Sequence, residues 1–240
     1  RGVQMSPHIN SLIFPRDMMT TFNGVPYINP KANFDLVYTK GIQSPLGEGG
    51  RILKQRNKVF VPTVQDHLAS DPRYEQHIRS LERKGFEFGY LPWPLAVDAI
   101  PGQREYDVAP SDHLDRAAAF IRGKDSKDYL LLDENYAQSR TPRVGSYSHV
   151  IENACYKLDV TPVVVERAAD SIPYALNLEQ FTDGTVLMTG GDPALQEVVG
   201  QLVGDDKVAT TEVPIVYYPV IRKGGIRCMT LTTSDKIIQK

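Results

Sequence analysis

Apolar residues recur at helical spacing in two places along this chain. Tyr74, Ile78 and Leu81 do so behind Asp71-Pro72, and Leu195, Val198, Val199 and Leu202 behind Asp192-Pro193. Asp before Pro is a good N-cap with Pro at the first helical position. Gly85 and Gly204 sit where helix-ending glycines belong. The spacing predicts one helix from Asp71-Pro72 to about Lys84 and another from Asp192-Pro193 to about Val203. Runs that read as strands flank each. Lys58 to Pro62 precedes the first helix and Phe86 to Pro92 follows it. Thr185 to Thr189 precedes the second and Val213 to Pro219 follows it. Both units close on Tyr-x-Pro, as Tyr90-Leu91-Pro92 and Tyr217-Tyr218-Pro219. A unit met twice suggests an internally repeated α/β fold; ordinary α/β alternation is the alternative. A third helix, Ser146 to Leu158, carries Val150, Ile151, Ala154 and Cys155 on one face and leads into a strand from Thr161 to Glu166. Ala117 to Arg122 and Asp128 to Leu132 read as two strands joined by the charged turn Gly123-Lys124-Asp125-Ser126-Lys127.

The chain has 240 residues and a net charge of -2, from 27 Lys+Arg against 29 Asp+Glu. That length suits one domain, or two small ones, with enough chain for a sizeable core. At 41% hydrophobic and 23% charged residues, the composition is that of a soluble globular protein rather than a disordered one. The balanced charge lacks the footprint of a general nucleic-acid binder. No apolar run approaches the ~20 residues of a membrane helix, so no membrane partner is expected. Two cysteines, Cys155 and Cys228, are too few for a disulfide framework or a Cys-based zinc site. No signal-peptide h-region follows Arg1. The expectation is a cytoplasmic protein forming a single domain over residues 1–240, its oligomeric state left open.

Phosphate-cradling glycine loops, the Gly-x-Ser-x-Gly elbow and His-Glu-x-x-His are all missing from the sequence. The five histidines, His8, His67, His77, His113 and His149, lack metal spacing. No cofactor or metal is indicated. Four short features remain: Phe14-Pro15-Arg16-Asp17 after Asn10-Ser11, Gly47-Glu48-Gly49-Gly50 before a strand, His113-Leu114-Asp115, and Gly224-Gly225-Ile226-Arg227-Cys228-Met229-Thr230. Singly, each has an ordinary reading: a solvated ion pair, a turn, a hydrogen-bonded pair on one face of a strand, and a small buried residue. Together they make one chemistry. Only a thiolate attacks, and a histidine can supply acid–base work. Several carboxylates would raise the thiol pKa and defeat that purpose unless the substrate is a cation. A guanidinium is planar, permanently charged and matched bidentately by carboxylates. The set therefore points to attack on a guanidino carbon, with glycines beside Glu48 and Cys228 letting backbone come close.

These residues resemble, in order from Asn10 to Thr230, the motifs of arginine deiminases and related guanidine-modifying enzymes. There the motifs run Phe-Thr-Arg-Asp, Glu-Gly-Gly, His-Leu-Asp and Gly-Gly-x-Arg-Cys-Met-Ser. The resemblance implies a pentein fold, a five-bladed α/β propeller of ββαβ units. It implies Cys228 as nucleophile, His113 as general acid/base, Asp17 and Asp115 as the guanidinium clamp, and Glu48 as support for the histidine and one guanidinium nitrogen. Asn10, Arg51, Asn177 and Arg227 complete the substrate-binding candidates. It further implies a small guanidino substrate, a thiouronium intermediate on Cys228 and a ureido product, citrulline where the substrate is arginine. A dihydrolase, an amidinotransferase and a non-catalytic pentein binding module are the alternatives. The sequence departs from the pattern at four points. Pro15 stands for the usual Thr. Asn10 lies one position further from Asp17 than the family's substrate-binding Asn, so that a one-residue bulge, or Ser11 in its place, is required. Arg51 stands where Asp is common, as a carboxylate clamp or a surface charge. The stretch from Asp17 to Glu48 is short for a full blade.

Overall fold

The computed structural model describes residues 19–29, 41–47, 49–63, 72–94, 113–141, 144–166 and 176–211. One plan recurs four times along them. In the first unit β1 (Met19–Phe22) and β2 (Val25–Ile28) form a hairpin in register Met19↔Ile28 and Phe22↔Val25. Its turn is Asn23-Gly24, at φ 49° and 74°; two left-handed residues are what a two-residue hairpin matching strand twist demands. A short β3 (Ile42–Gln43) then adds parallel to β2.

The second unit has β4 (Leu53–Gln55), β5 (Lys58–Pro62), α1 (Pro72–Glu82) and β6 (Glu87–Leu91). The third has β7 (Ala118–Arg122), β8 (Asp128–Asp133), the short α2 (Glu134–Gln138), a small ladder of β9 (Arg140–Thr141) and β10 (Gly145–Ser146), α3 (Tyr147–Leu158) and β11 (Thr161–Val165). The fourth has β12 (Glu179–Gln180), β13 (Val186–Thr189), α4 (Pro193–Val203) and β14 (Val208–Thr211). In every unit the first strand pairs antiparallel with the second and the second parallel with the third. A parallel return needs a crossover, supplied by α1, α3 and α4 in three units.

The helices bury the faces the periodicity marks: Tyr74, Ile78 and Leu81 in α1, Leu195 and Val199 in α4, and Tyr147, Ile151, Ala154, Cys155 and Leu158 in α3, where Val150 is half-buried. Asp192 caps α4 by accepting from the Leu195 amide at 3.0 Å. One expectation is corrected. The strand after α4 is Val208–Thr211, paired Val186↔Val208, and not the run from Val213 to Pro219, which lies outside the described residues. A 3-10 turn at Asp205–Lys207 brings the chain back at once. The returning Val-Ala-Thr-Thr is half-exposed, so hydrophobicity does not announce it.

The first strands of successive units lie beside one another. Gln55, Arg122 and Gln180 end β4, β7 and β12. The Gln180 carboxamide accepts from the Arg122 amide at 2.8 Å and from Gln55 Nε2 at 2.7 Å, and donates to the Arg122 carbonyl at 2.9 Å. Lys54 Nζ donates to the Thr21 carbonyl at 2.6 Å, joining the first two units. Four such units lie among the described residues, and the expectation of a fifth blade falls outside them. Among the described residues no helix is long and apolar enough to cross a membrane.

Candidate active site

The repeat gives the candidate residues a common address: each comes just ahead of the first strand of a unit. His113 and Asp115 precede β7, Arg51 precedes β4, and Asn177 precedes β12. Two of these approaches are the same structure. The 3-10 turns Gly49–Arg51 and Leu114–Arg116 each end two residues before their strand. Each is closed by one backbone bond, Ile52 N–H to Gly49 O at 3.1 Å and Ala117 N–H to Leu114 O at 3.0 Å. Aligned by position in the sequence, Gly50 matches Asp115, Arg51 matches Arg116, and Glu48 takes the place of His113. The two turns pack against each other.

Their contact is intimate. The His113 ring lies on Gly50, where a Cβ would stand 2.8 Å from Cε1, 2.9 Å from Cγ and closer still to Nδ1. Leu114 and Asp115 are wholly buried, and Leu114 belongs to the core cluster under β7, so this turn is anchored from beneath. From the fourth unit, buried Asn177 donates from Nδ2 to the Asp115 backbone carbonyl at 3.2 Å. Three stretches far apart in sequence, around residues 50, 114 and 177, thus converge. The strand expectation for His-Leu-Asp is corrected. A 3-10 turn has about three residues per revolution, so residues two apart diverge. His113 sits half-buried at the turn's start while Asp115 is fully enclosed.

Arg51 is half-buried and its Nε is shut off from solvent, which does not fit a surface charge. Its charge acts on Tyr74, whose phenol burial pushes far up and the neighbouring Tyr90 raises further, while Arg51 pulls the other way. Arg116 is the residue sequence reasoning passes over. The signal lies in aligning Glu48-Gly-Gly-Arg-Ile with His113-Leu-Asp-Arg-Ala, each an Arg and an apolar residue before a strand. Asn10, Asp17, Glu48, Arg227 and Cys228 lie outside the described residues. Among the described residues no group of three His, Cys, Asp or Glu side chains could hold a metal ion.

Gly47 and Gly49, on either side of Glu48, are buried. A Cβ on Gly47 would meet the Ile28 carbonyl oxygen at 2.7 Å and the Ile28–Asn29 peptide more closely. Backbone cannot swing aside as a side chain can, so Gly47→Ala should cost about 2 kcal/mol, read as a lower urea midpoint with unchanged slope.

No family model and no curated protein matches the sequence. Solved structures do match. A Cys→Ser variant of DDAH from Pseudomonas aeruginosa, complexed with citrulline, superposes with a TM-score of 0.55 at 16% identity, over 91% of this chain and 75% of that one. An amidinotransferase of the saxitoxin biosynthetic pathway from Microseira wollei gives 0.55 at 12% identity, over 92% and 70%. An agmatine deiminase from C. jejuni gives 0.50 at 13% identity, over 79% of this chain; the chain spans 56% of that enzyme's length.

Proposed function

We propose that this chain, which has the pentein fold of the guanidine-modifying enzymes, hydrolyses the guanidino group of arginine or a close derivative, with residues 1–240 acting as one catalytic domain. The observation that carries the reading is the seating of His113 on Gly50, within a pair of equivalent turns that also brings in Asp115 and Asn177. A histidine held by its surroundings beside an enclosed carboxylate is what proton transfer next to a bound cation requires.

In this reading Asp17 and Asp115 clamp the guanidinium, Glu48 supports His113 and one guanidinium nitrogen, and Asn10, Arg51, Asn177 and Arg227 hold the rest of the substrate. Cys228, its proton released to solvent as the bound cation lowers the thiol pKa, forms a bond from Sγ to the guanidinium carbon while the C=N π pair moves onto nitrogen. His113 gives a proton to the departing nitrogen as its bond to carbon breaks, and ammonia leaves a thiouronium on Cys228. His113 then takes a proton from water as its oxygen bonds to the same carbon. The C–S bond breaks, the hydroxyl proton passes to the departing sulfur, and a ureido compound is released. The alternatives share the first half of this course and part at the thiouronium, where access of water or of an amine decides.

Incubation of the full chain with arginine, agmatine and methylated arginine, followed by product analysis, tests the proposal. A ureido product with one ammonia per turnover is the expected result. Ornithine or an exchanged amidino group would move the chain to one of the alternative reactions, and no turnover of any guanidino compound would sink the catalytic reading. Asp115→Asn keeps shape and removes the clamp's charge. Losing one partner of a buried charged pair costs about 3 kcal/mol, so turnover should fall by about a hundredfold in steady-state kinetics. Near-normal turnover would make Asp115 structural.

A further inference from the structure

Between α1 and the ends of β5 and β6 lies a cavity of about 410 Å³ that the reaction above does not use. Its walls include Thr63, just past β5, Tyr90 of β6, and Tyr74, Glu75, Arg79 and Glu82 of α1. Tyr74 is only 2% exposed, and its hydroxyl has no hydrogen-bond partner. The Thr63 hydroxyl, also enclosed, has none either. Buried hydroxyls are ordinarily satisfied, because leaving one unpaired forfeits its hydration. Two of them lining one cavity point to a ligand that completes them.

The remaining chemistry says which kind. Arg79 is engaged with Glu75 at 3.2 Å, so among the described lining residues Glu82 is the charge left over. Its carboxylate and that of Glu75 both act on Tyr90, whose phenol is raised first by burial and then by these two charges. Carboxylate and hydroxyl oxygens accept hydrogen bonds. An anion would meet Glu82. We propose that this cavity binds a small organic cation bearing several N–H donors, a guanidinium or a primary ammonium. The proposal stands apart from the catalytic reading, since none of these residues takes part in the reaction.

The test is calorimetric titration of the full chain with methylguanidine and with methylammonium at constant ionic strength, in an Asp115→Asn background that weakens the guanidinium clamp. Saturable one-to-one binding by either cation is expected, and neither binding overturns the proposal. The two titrations decide which cation is preferred. Tetramethylammonium, a cation without N–H donors, should bind at least tenfold more weakly; equal affinity would overturn the donor-based recognition. Tyr74→Phe combined with Thr63→Val, and separately Glu82→Gln, should each weaken binding at least tenfold. Unchanged affinity in all these variants would place the ligand elsewhere. The unliganded protein gives an independent reading. Removing a hydroxyl that bonds to nothing should leave the Tm of Tyr74→Phe equal or higher. A clear fall would mean that a partner within the chain already satisfies that hydroxyl, and the proposal would fail. Absence of arginine turnover would leave all these results in force.

Discussion

Cys228→Ala should yield a folded protein without measurable turnover, while Cys155→Ala should turn over normally and melt lower. The two thiols serve as mutual controls. Cys155 is 1% exposed on α3, in the cluster that also holds Tyr136, Tyr147 and Ile151. Burial, with a smaller push from Glu152, raises its thiol to about 12. A thiol with that pKa is almost wholly protonated at neutral pH and so cannot attack. Truncating it removes packing alone, at a cost of about 1 kcal/mol. Cys228 is proposed as the group that bonds to substrate. Carboxylates around it would keep its thiol protonated until a cation enters and lowers its pKa. Alkylation of Cys228 by iodoacetamide should therefore be slow in the free protein, and a cationic amidine able to react covalently should label Cys228 and spare Cys155. Ammonia release and thermal melting of both variants decide the matter. Turnover that survives Cys228→Ala would end the covalent mechanism.

Elements whose signal is local were legible in the sequence. The three long helices carry long apolar periods, one with its Asp-Pro cap now seen at Asp192, and their buried faces match. Strands next to them were legible by contrast. β14 was not, because a strand held by parallel pairing to Val186–Thr189 needs little hydrophobicity of its own. The hairpin at Asn23-Gly24 was missed although Asn-Gly is a strong turn signal; its strands are too short and mixed to stand out. Candidate site residues were legible as types in order, but their arrangement was not. That Arg51 is half-buried, with its Nε shut off from solvent, depends on packing between units, and that Gly50 must be glycine depends on a ring arriving from 63 residues away. Both follow from the repeat, which stacks the approach to one first strand on the approach to the next.

The last of these yields the sharpest test of His113. Gly50 is not among the positive-φ glycines, so alanine is tolerable to its backbone and any effect must come from the added carbon. That carbon would lie 2.8 Å and 2.9 Å from two ring atoms of His113 and nearer to a third, inside van der Waals contact. The turn beneath cannot yield, because Leu114 and Asp115 are wholly buried; the ring must therefore swing. A general acid must sit about 3 Å from the atom it protonates, and a shift of about 1 Å can cost a hundredfold. Loss of acid–base help altogether costs between about a hundredfold and ten-thousandfold. Gly50→Ala should thus lower kcat about a thousandfold while KM stays within a few fold, since the clamp carboxylates are untouched. In a His113→Ala background the same change should do nothing further, because there is no ring left to displace; that non-additivity separates a positional effect from general damage. If Gly50→Ala instead slows the His113→Ala protein by the same factor as the parent, Gly50 acts on the fold rather than on the ring, and His113 owes its position to something else.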